Sequence, residues 1–146
     1  MTTTDTGSIA GGFVHRVAVR FADVDAMGHA HHSLPLIYFE EARAAWWREI
    51  TGRSELAAID YIIAEFNVQY RGRILYPGEL TVSLSVTRVG NSSFELEYEL
   101  CDAAGAVLTL GRSVQVMFDY EGGRSKPIPG ELRTRIEQAH RAKQPN

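Results

Sequence analysis

The stretch from Ser33 to Ile50 constrains this chain more than any other, because it reads as a helix with bulky side chains around much of its girth. Leu36, Phe39, Ala42, Trp46 and Ile50 fall three or four residues apart, while Glu40, Ala44 and Arg48 fall on another face. Ser33 can cap the start and Gly52 can end it. Pro35 falls in the first turn, where an N–H would have no helical partner anyway. Tyr38, Trp46 and Trp47 are expected in the core or an interface, and Glu40 and Arg43, three apart, as a surface pair. Such a helix needs apolar cover on several sides, and the rest of the chain must supply it.

The flanking segments alternate with period two. Val17, Val19 and Phe21 against Arg16, Ala18 and Arg20 predict a strand over 16–21. After the helix, Phe66, Val68 and Tyr70 alternate with Asn67 and Gln69, and a loop follows from Arg71 to Gly78. Leu80, Val82, Leu84 and Val86 then alternate with Thr81, Ser83, Ser85 and Thr87, the cleanest strand signal in the chain. Gly90-Asn91 turns it into Phe94, Leu96, Tyr98 and Leu100, which alternate with three glutamates. Asp102-Ala-Ala-Gly105 leads into a last strand through Val114, Val116 and Phe118, which also takes in 106–110, with Gly111 as a bulge or bend. Glu131 to Lys143 reads as a short helix or a frayed tail. One strand, one long helix and four strands make an α+β domain, a curled, largely antiparallel sheet wrapped around one central helix. A sheet this small leaves an open edge and an apolar face, so pairing of two copies is a physical way to protect them.

With 146 residues, 45% of them hydrophobic, the chain suits a single domain over 13–146. Residues 1–12 are rich in Thr and Gly, carry only Asp5 as a charged side chain, and read as a flexible tail without the basic start and apolar run of a secretory signal. No uncharged apolar run nears the roughly 20 residues of a membrane span, so a soluble protein is expected. Cys101 is the single cysteine, which precludes an intrachain disulfide and makes a reducing cytoplasm the simplest compartment. It reads as a packed strand thiol. A net charge of −3 and a pI near 5.9 weigh against general nucleic-acid affinity.

Chemistry concentrates in Asp23-Val-Asp-Ala-Met-Gly-His-Ala-His-His32, between the end of a strand and the start of the apolar helix. Two carboxylates and three imidazoles meet there, beside helix N–H groups suited to an oxyanion. Gly28 would let backbone and substrate approach closely. Taken alone, Asp23 and Asp25 also suit turn and capping roles. The Asp and His spacing matches no tight metal signature, and one glycine among bulky histidines is a poor phosphate loop.

Phe21-Ala-Asp-Val-Asp-Ala-Met-Gly-His29 followed by Ile37-Tyr-Phe-Glu-Glu-Ala-Arg43 resembles the signature of the 4-hydroxybenzoyl-CoA thioesterase branch of the hotdog superfamily. Phe66-Asn-Val-Gln-Tyr-Arg71 and Gly78-Glu-Leu-Thr-Val82 are similar to that branch's strand, loop and strand, and the likeness runs from about Val14 to about Leu132. The resemblance implies a hotdog fold, hydrolysis of an acyl-CoA or acyl-carrier-protein thioester without a cofactor or metal, and a homodimer or homotetramer with the ligand between subunits. It implies that Asp25 is the catalytic aspartate, as general base or nucleophile, and that Asp23 is a structural turn residue. In relatives of the Tol-Pal-associated short-chain type, a histidine seven positions on assists, which matches His32. Gly28, His29, His31, Arg71 and Arg73 are the further substrate-binding candidates, the histidine backbone for the thioester carbonyl and the arginines for the CoA phosphates. Many members have two asparagines in place of His31-His32 and a tyrosine in place of Pro35. A hotdog dehydratase or hydratase, or a non-catalytic acyl-CoA-binding module, are the alternative readings.

Overall fold

Alternation becomes strand and the apolar helix becomes the body they cover. We describe a computed structural model covering residues 12–53 and 59–143, so the expected tail lies outside the described residues except for Gly12. Strand β1 (Phe13–Ala18) leads through a short 3-10 turn (Phe21–Asp23) to helix α1 (Leu34–Thr51). Strands β2 (Tyr61–Tyr70), β3 (Glu79–Val89), β4 (Ser93–Cys101), β5 (Val107–Asp119) and β6 (Arg124–Ser125) follow, and α2 (Gly130–Lys143) comes last. All pairings are antiparallel in the order β1-β3-β4-β5-β2, with β6 on β5, which leaves β1 and β2 as edges. This is the expected hotdog arrangement, an antiparallel sheet covering one long helix.

The core lies between the inner face of the sheet and α1. Val82, Leu84 and Val86 of β3 and Phe94, Leu96, Tyr98 and Leu100 of β4 are buried. Trp47 stacks on Phe94 with ring centroids 5.9 Å apart, and Phe39 on Tyr98 at 4.7 Å. Each such side chain contributes roughly 2–3 kcal/mol of burial free energy, so the aromatic layer anchors the helix to the sheet. Ile136 of α2 is fully buried and extends the same core. Gly52 closes α1 in a left-handed conformation (φ 71°). Ser33 makes no side-chain cap bond, because its hydroxyl is engaged with His31.

Several expectations change. The first strand ends at Ala18, since Arg20 and Asp23 draw the chain into a turn, and Phe21 is 75% exposed against the edge of Tyr76. The second strand starts at Tyr61, ahead of Phe66; a register shift between Ile63 and Glu65 hides its first half from a period-two reading. On α1, Phe39, Ala42, Trp46, Tyr38 and Trp47 are buried as expected, but Leu36 is exposed and Arg43 lies inside. Arg43 does not pair with Glu40. Its Nη1 donates to the Tyr98 hydroxyl at 3.1 Å and its guanidinium lies over the Phe66 ring. Gly111 is neither bulge nor bend, pairing in register with Tyr98 and Val68. A Cβ there would stand 2.6 Å from Phe39 Cε2, so the missing side chain makes room for the helix. On β5 the polar Ser113 and Gln115 face the core, joined to Tyr98 and the Phe94 carbonyl by hydrogen bonds.

Candidate active site

Beyond β1 the chain is held by a buried carboxylate. Asp23 Oδ1 accepts from Arg20 Nε (3.1 Å) and Nη2 (2.8 Å), and Oδ2 accepts from the Arg20 amide (2.9 Å) and the Tyr38 hydroxyl (2.8 Å). The Asp23 side chain is 1% exposed, so the four donors replace its lost hydration. Burial pushes its pKa up, but the donors from Arg20 and Tyr38 outweigh that and hold the carboxyl below the ordinary range. Burial and the bond to the carboxylate raise the Tyr38 phenol well above its usual value, so it stays a donor.

The backbone continues the same fixation. The Asp23 carbonyl accepts the His31 N–H at 3.3 Å, and Val24 and Ala30 form a bridge. Between them runs a tight loop in which Asp25 N–H donates to the His29 carbonyl (3.1 Å) and Gly28 N–H to the Asp25 carbonyl (3.0 Å). Gly28 has φ 89° with open space where a Cβ would stand, so the turn, not crowding, requires glycine. Asp25 is exposed near the tip of this loop. Its Oδ1 accepts the Met27 N–H at 2.8 Å, and its other oxygen has no protein donor among the described residues.

At the helix entry the His31 and His32 rings lie against each other, centroids 4.0 Å apart. His31 Nδ1 accepts the Ser33 N–H at 3.2 Å and lies 2.9 Å from the Ser33 hydroxyl, which leaves Nε2 as the protonated ring nitrogen in the neutral form. The Tyr70 hydroxyl, at the end of β2, donates to the His32 carbonyl. The His31 and Leu34 amides are bonded to carbonyls, while the His32 N–H makes no hydrogen bond among the described residues. No hydrogen bond joins Asp25 to His32 among them.

The loop after β2 comes to the same place. Ala30 N–H donates to the Ile74 carbonyl at 2.8 Å and His29 bridges Leu75, which fastens the Arg71–Gly78 segment to the Asp25 loop. Arg71 and Arg73 are exposed on it, Arg71 with one bond to the Gln69 side chain at 2.9 Å. All the sequence-derived candidates thus lie on two joined loops. The resemblance reduced Asp23, one of the two carboxylates of the segment, to a turn residue and Tyr38 was expected in the core or an interface, while Tyr70 carried no site signal; a tyrosine on the inner face of a helix does, however, demand a buried partner for its hydroxyl. A surface groove lined by Asn67, Gln69, Glu97, Glu99 and Arg112 lies on the sheet and holds none of the candidate residues, though Gln69 in its lining accepts from Arg71. Among the described residues no three His, Cys, Asp or Glu side chains converge as a metal-binding group.

Residues 19–136 match the family model described as the thioesterase-like superfamily. The chain is 29% identical over 113 residues to the uncharacterized protein YsmA of Bacillus subtilis (strain 168), covering 77% of each. A thioesterase from Thermus thermophilus, crystallised with coenzyme A and zinc, superposes with a TM-score of 0.82 at 28% identity, over 96% of this chain and all of that one. A predicted thioesterase from Bacillus stearothermophilus gives 0.81 at 27% identity, over 87% and 95%. Matched by that family model over most of its length and superposing on solved thioesterases, the chain is a member of the thioesterase-like superfamily and a thioester hydrolase.

Proposed function

We propose that this thioesterase hydrolyses acyl-CoA thioesters and that Asp25 is the catalytic carboxylate. The observation that carries the reading is the state of Asp25: exposed, with one oxygen free of donors among the described residues, on a loop pinned at both ends beside the start of α1. As general base, Asp25 takes a proton from water while the resulting hydroxide adds to the thioester carbonyl. The tetrahedral oxyanion then collapses, the C–S bond breaks, and the thiolate leaves as thiol by taking that proton back. As nucleophile, the carboxylate displaces the thiolate to form a mixed anhydride, which water opens. In both routes the His32 N–H suits the developing oxyanion, and the His32 ring orients water or assists proton transfer. Gly28 and His29 shape the loop, while His31 presents Nε2–H toward solvent as a further donor.

Arg71 and Arg73 are proposed to meet the CoA phosphates, supported by their exposure on the loop fastened to the Asp25 loop and by the coenzyme A in the Thermus thioesterase. An acyl carrier protein is the alternative carrier. We further propose a homodimer or homotetramer, supported by β2, an edge strand with Ile62, Ile63 and Tyr70 exposed. A cytoplasmic setting goes with this reading; no helix among the described residues is long and apolar enough to cross a membrane. A panel of acyl-CoAs in a colorimetric thiol assay tests the activity. Thiol release by the wild type and its loss in Asp25→Asn are expected, whereas undiminished turnover by Asp25→Asn overturns the assignment.

A further inference from the structure

Among the described residues Asp25 makes a single side-chain hydrogen bond, to the Met27 amide of its own loop. The direction of its carboxylate therefore depends on how the loop is anchored, at its far end by Ala30 and His29 to the Ile74–Leu75 segment and at its near end by its foot. That foot is Asp23, tied by its carboxylate to Arg20 and to Tyr38 in α1, and by its backbone to Arg20 and His31. Of these ties the Tyr38 hydroxyl alone reaches α1, which the aromatic layer fixes to the sheet. We propose that Asp23 and Tyr38 are positioning residues for thioester hydrolysis, locking the Asp25 loop to the core without touching substrate.

This rests on the reading of Asp25 as the catalytic carboxylate. The physical case is one of leverage. Exposed loops are the most mobile parts of a fold, and a misplacement of about 1 Å at a reacting group can cost on the order of a hundredfold in rate. Tyr38 and Asp23 are 3% exposed as residues, so neither is available to substrate, yet they sit at the base of the segment whose tip must meet the carbonyl. Placing a buried carboxylate there is costly unless all its donors are present, and four are. Deleting one loosens the loop while the sheet and α1 stay folded.

The test is steady-state hydrolysis of the best acyl-CoA by Tyr38→Phe, Asp23→Asn, Asp25→Asn and the pairwise combinations, with thermal melts alongside. Tyr38→Phe keeps the ring in the core and removes only the donor. It is expected to lower kcat about tenfold with KM within about twofold, assayed well below its melting temperature. The Asp23→Asn, Tyr38→Phe double variant should be no slower than the slower single, because both act through one link. In the Asp25→Asn background, Tyr38→Phe should leave the residual rate unchanged. If Asp25→Asn abolishes turnover but Tyr38→Phe has wild-type kcat, or changes only KM, the positioning role is wrong. If Asp25→Asn itself turns over normally, the catalytic reading falls instead, and with it the reason for a clamp. Tyr38→Phe decides the matter by itself should Asp23→Asn fail to fold.

Discussion

Asp23 and Asp25 are the same side chain two residues apart, and the molecule treats them in opposite ways. Asp23, at the foot of the loop, is 1% exposed with four donors on its two oxygens. Asp25, near the tip, faces solvent with one donor and one open oxygen. A carboxylate saturated with hydrogen bonds is a poor base and a good fastening. One that is half-satisfied can still take a proton or attack a carbonyl. Residue type decides little here; the number of donors and access to solvent decide which acid holds and which acts.

The largest break in that comparison is expected from the tip. Asp25→Asn should lower kcat/KM by about 10²- to 10⁴-fold, the usual span of a lost acid–base group, and change stability by less than about 0.5 kcal/mol. Thiol release and a urea titration on one preparation check both halves. A variant that unfolds easily would mean that Asp25 is also a fastening. At the foot, Asp23→Ala should add a loss of stability that Asp25→Asn lacks, about 2 kcal/mol, because the buried Tyr38 hydroxyl is left without an acceptor. A shift of the urea midpoint too small to resolve would remove the contrast.

Acid should separate the two as well. The folded-state pKa of Asp23 lies below its unfolded value, so its stabilisation is complete above the ordinary carboxylate range, near pH 4, and is lost as pH falls from there toward the lower folded value. The stability gap between wild type and Asp23→Asn should be constant from about pH 5 upward and shrink below about pH 4. Urea midpoints measured across that window decide it. A gap that widens on acidification has the wrong sign for a depressed carboxyl.

How much of this could be read from the sequence depends on how different the two faces of each element are. Strands β3 and β4 stood out because valine and leucine face the helix while threonine, serine and glutamate face away. Strand β5 misleads, since its inner positions include Ser113 and Gln115, made tolerable by Tyr98 and the Phe94 carbonyl. Phe21 kept the alternating phase of β1 but not its strand, because the Arg20–Asp23 link outcompetes further pairing. In the site, the family motif pointed to Asp25, and the loop after β2 proved to abut it. The bond between Asp23 and Tyr38 spans 15 residues and two elements, and no local pattern encodes it.

The smallest predicted effect concerns His32, which sits at the helix entry with its carbonyl tied to Tyr70 and its ring against His31. If the ring only orients water or assists proton transfer, His32→Ala should lower kcat by a few-fold to about tenfold, below the effect of a lost general base. Its backbone N–H survives the substitution, so oxyanion stabilisation through that amide should persist. Tyr70→Phe complements it, removing the hydroxyl that holds the same carbonyl while leaving the imidazole intact. A His32→Ala loss as deep as that of Asp25→Asn would shift the catalytic burden from the loop tip to the helix entry. Unchanged turnover in both variants would leave the tip carboxylate to act without help from that side.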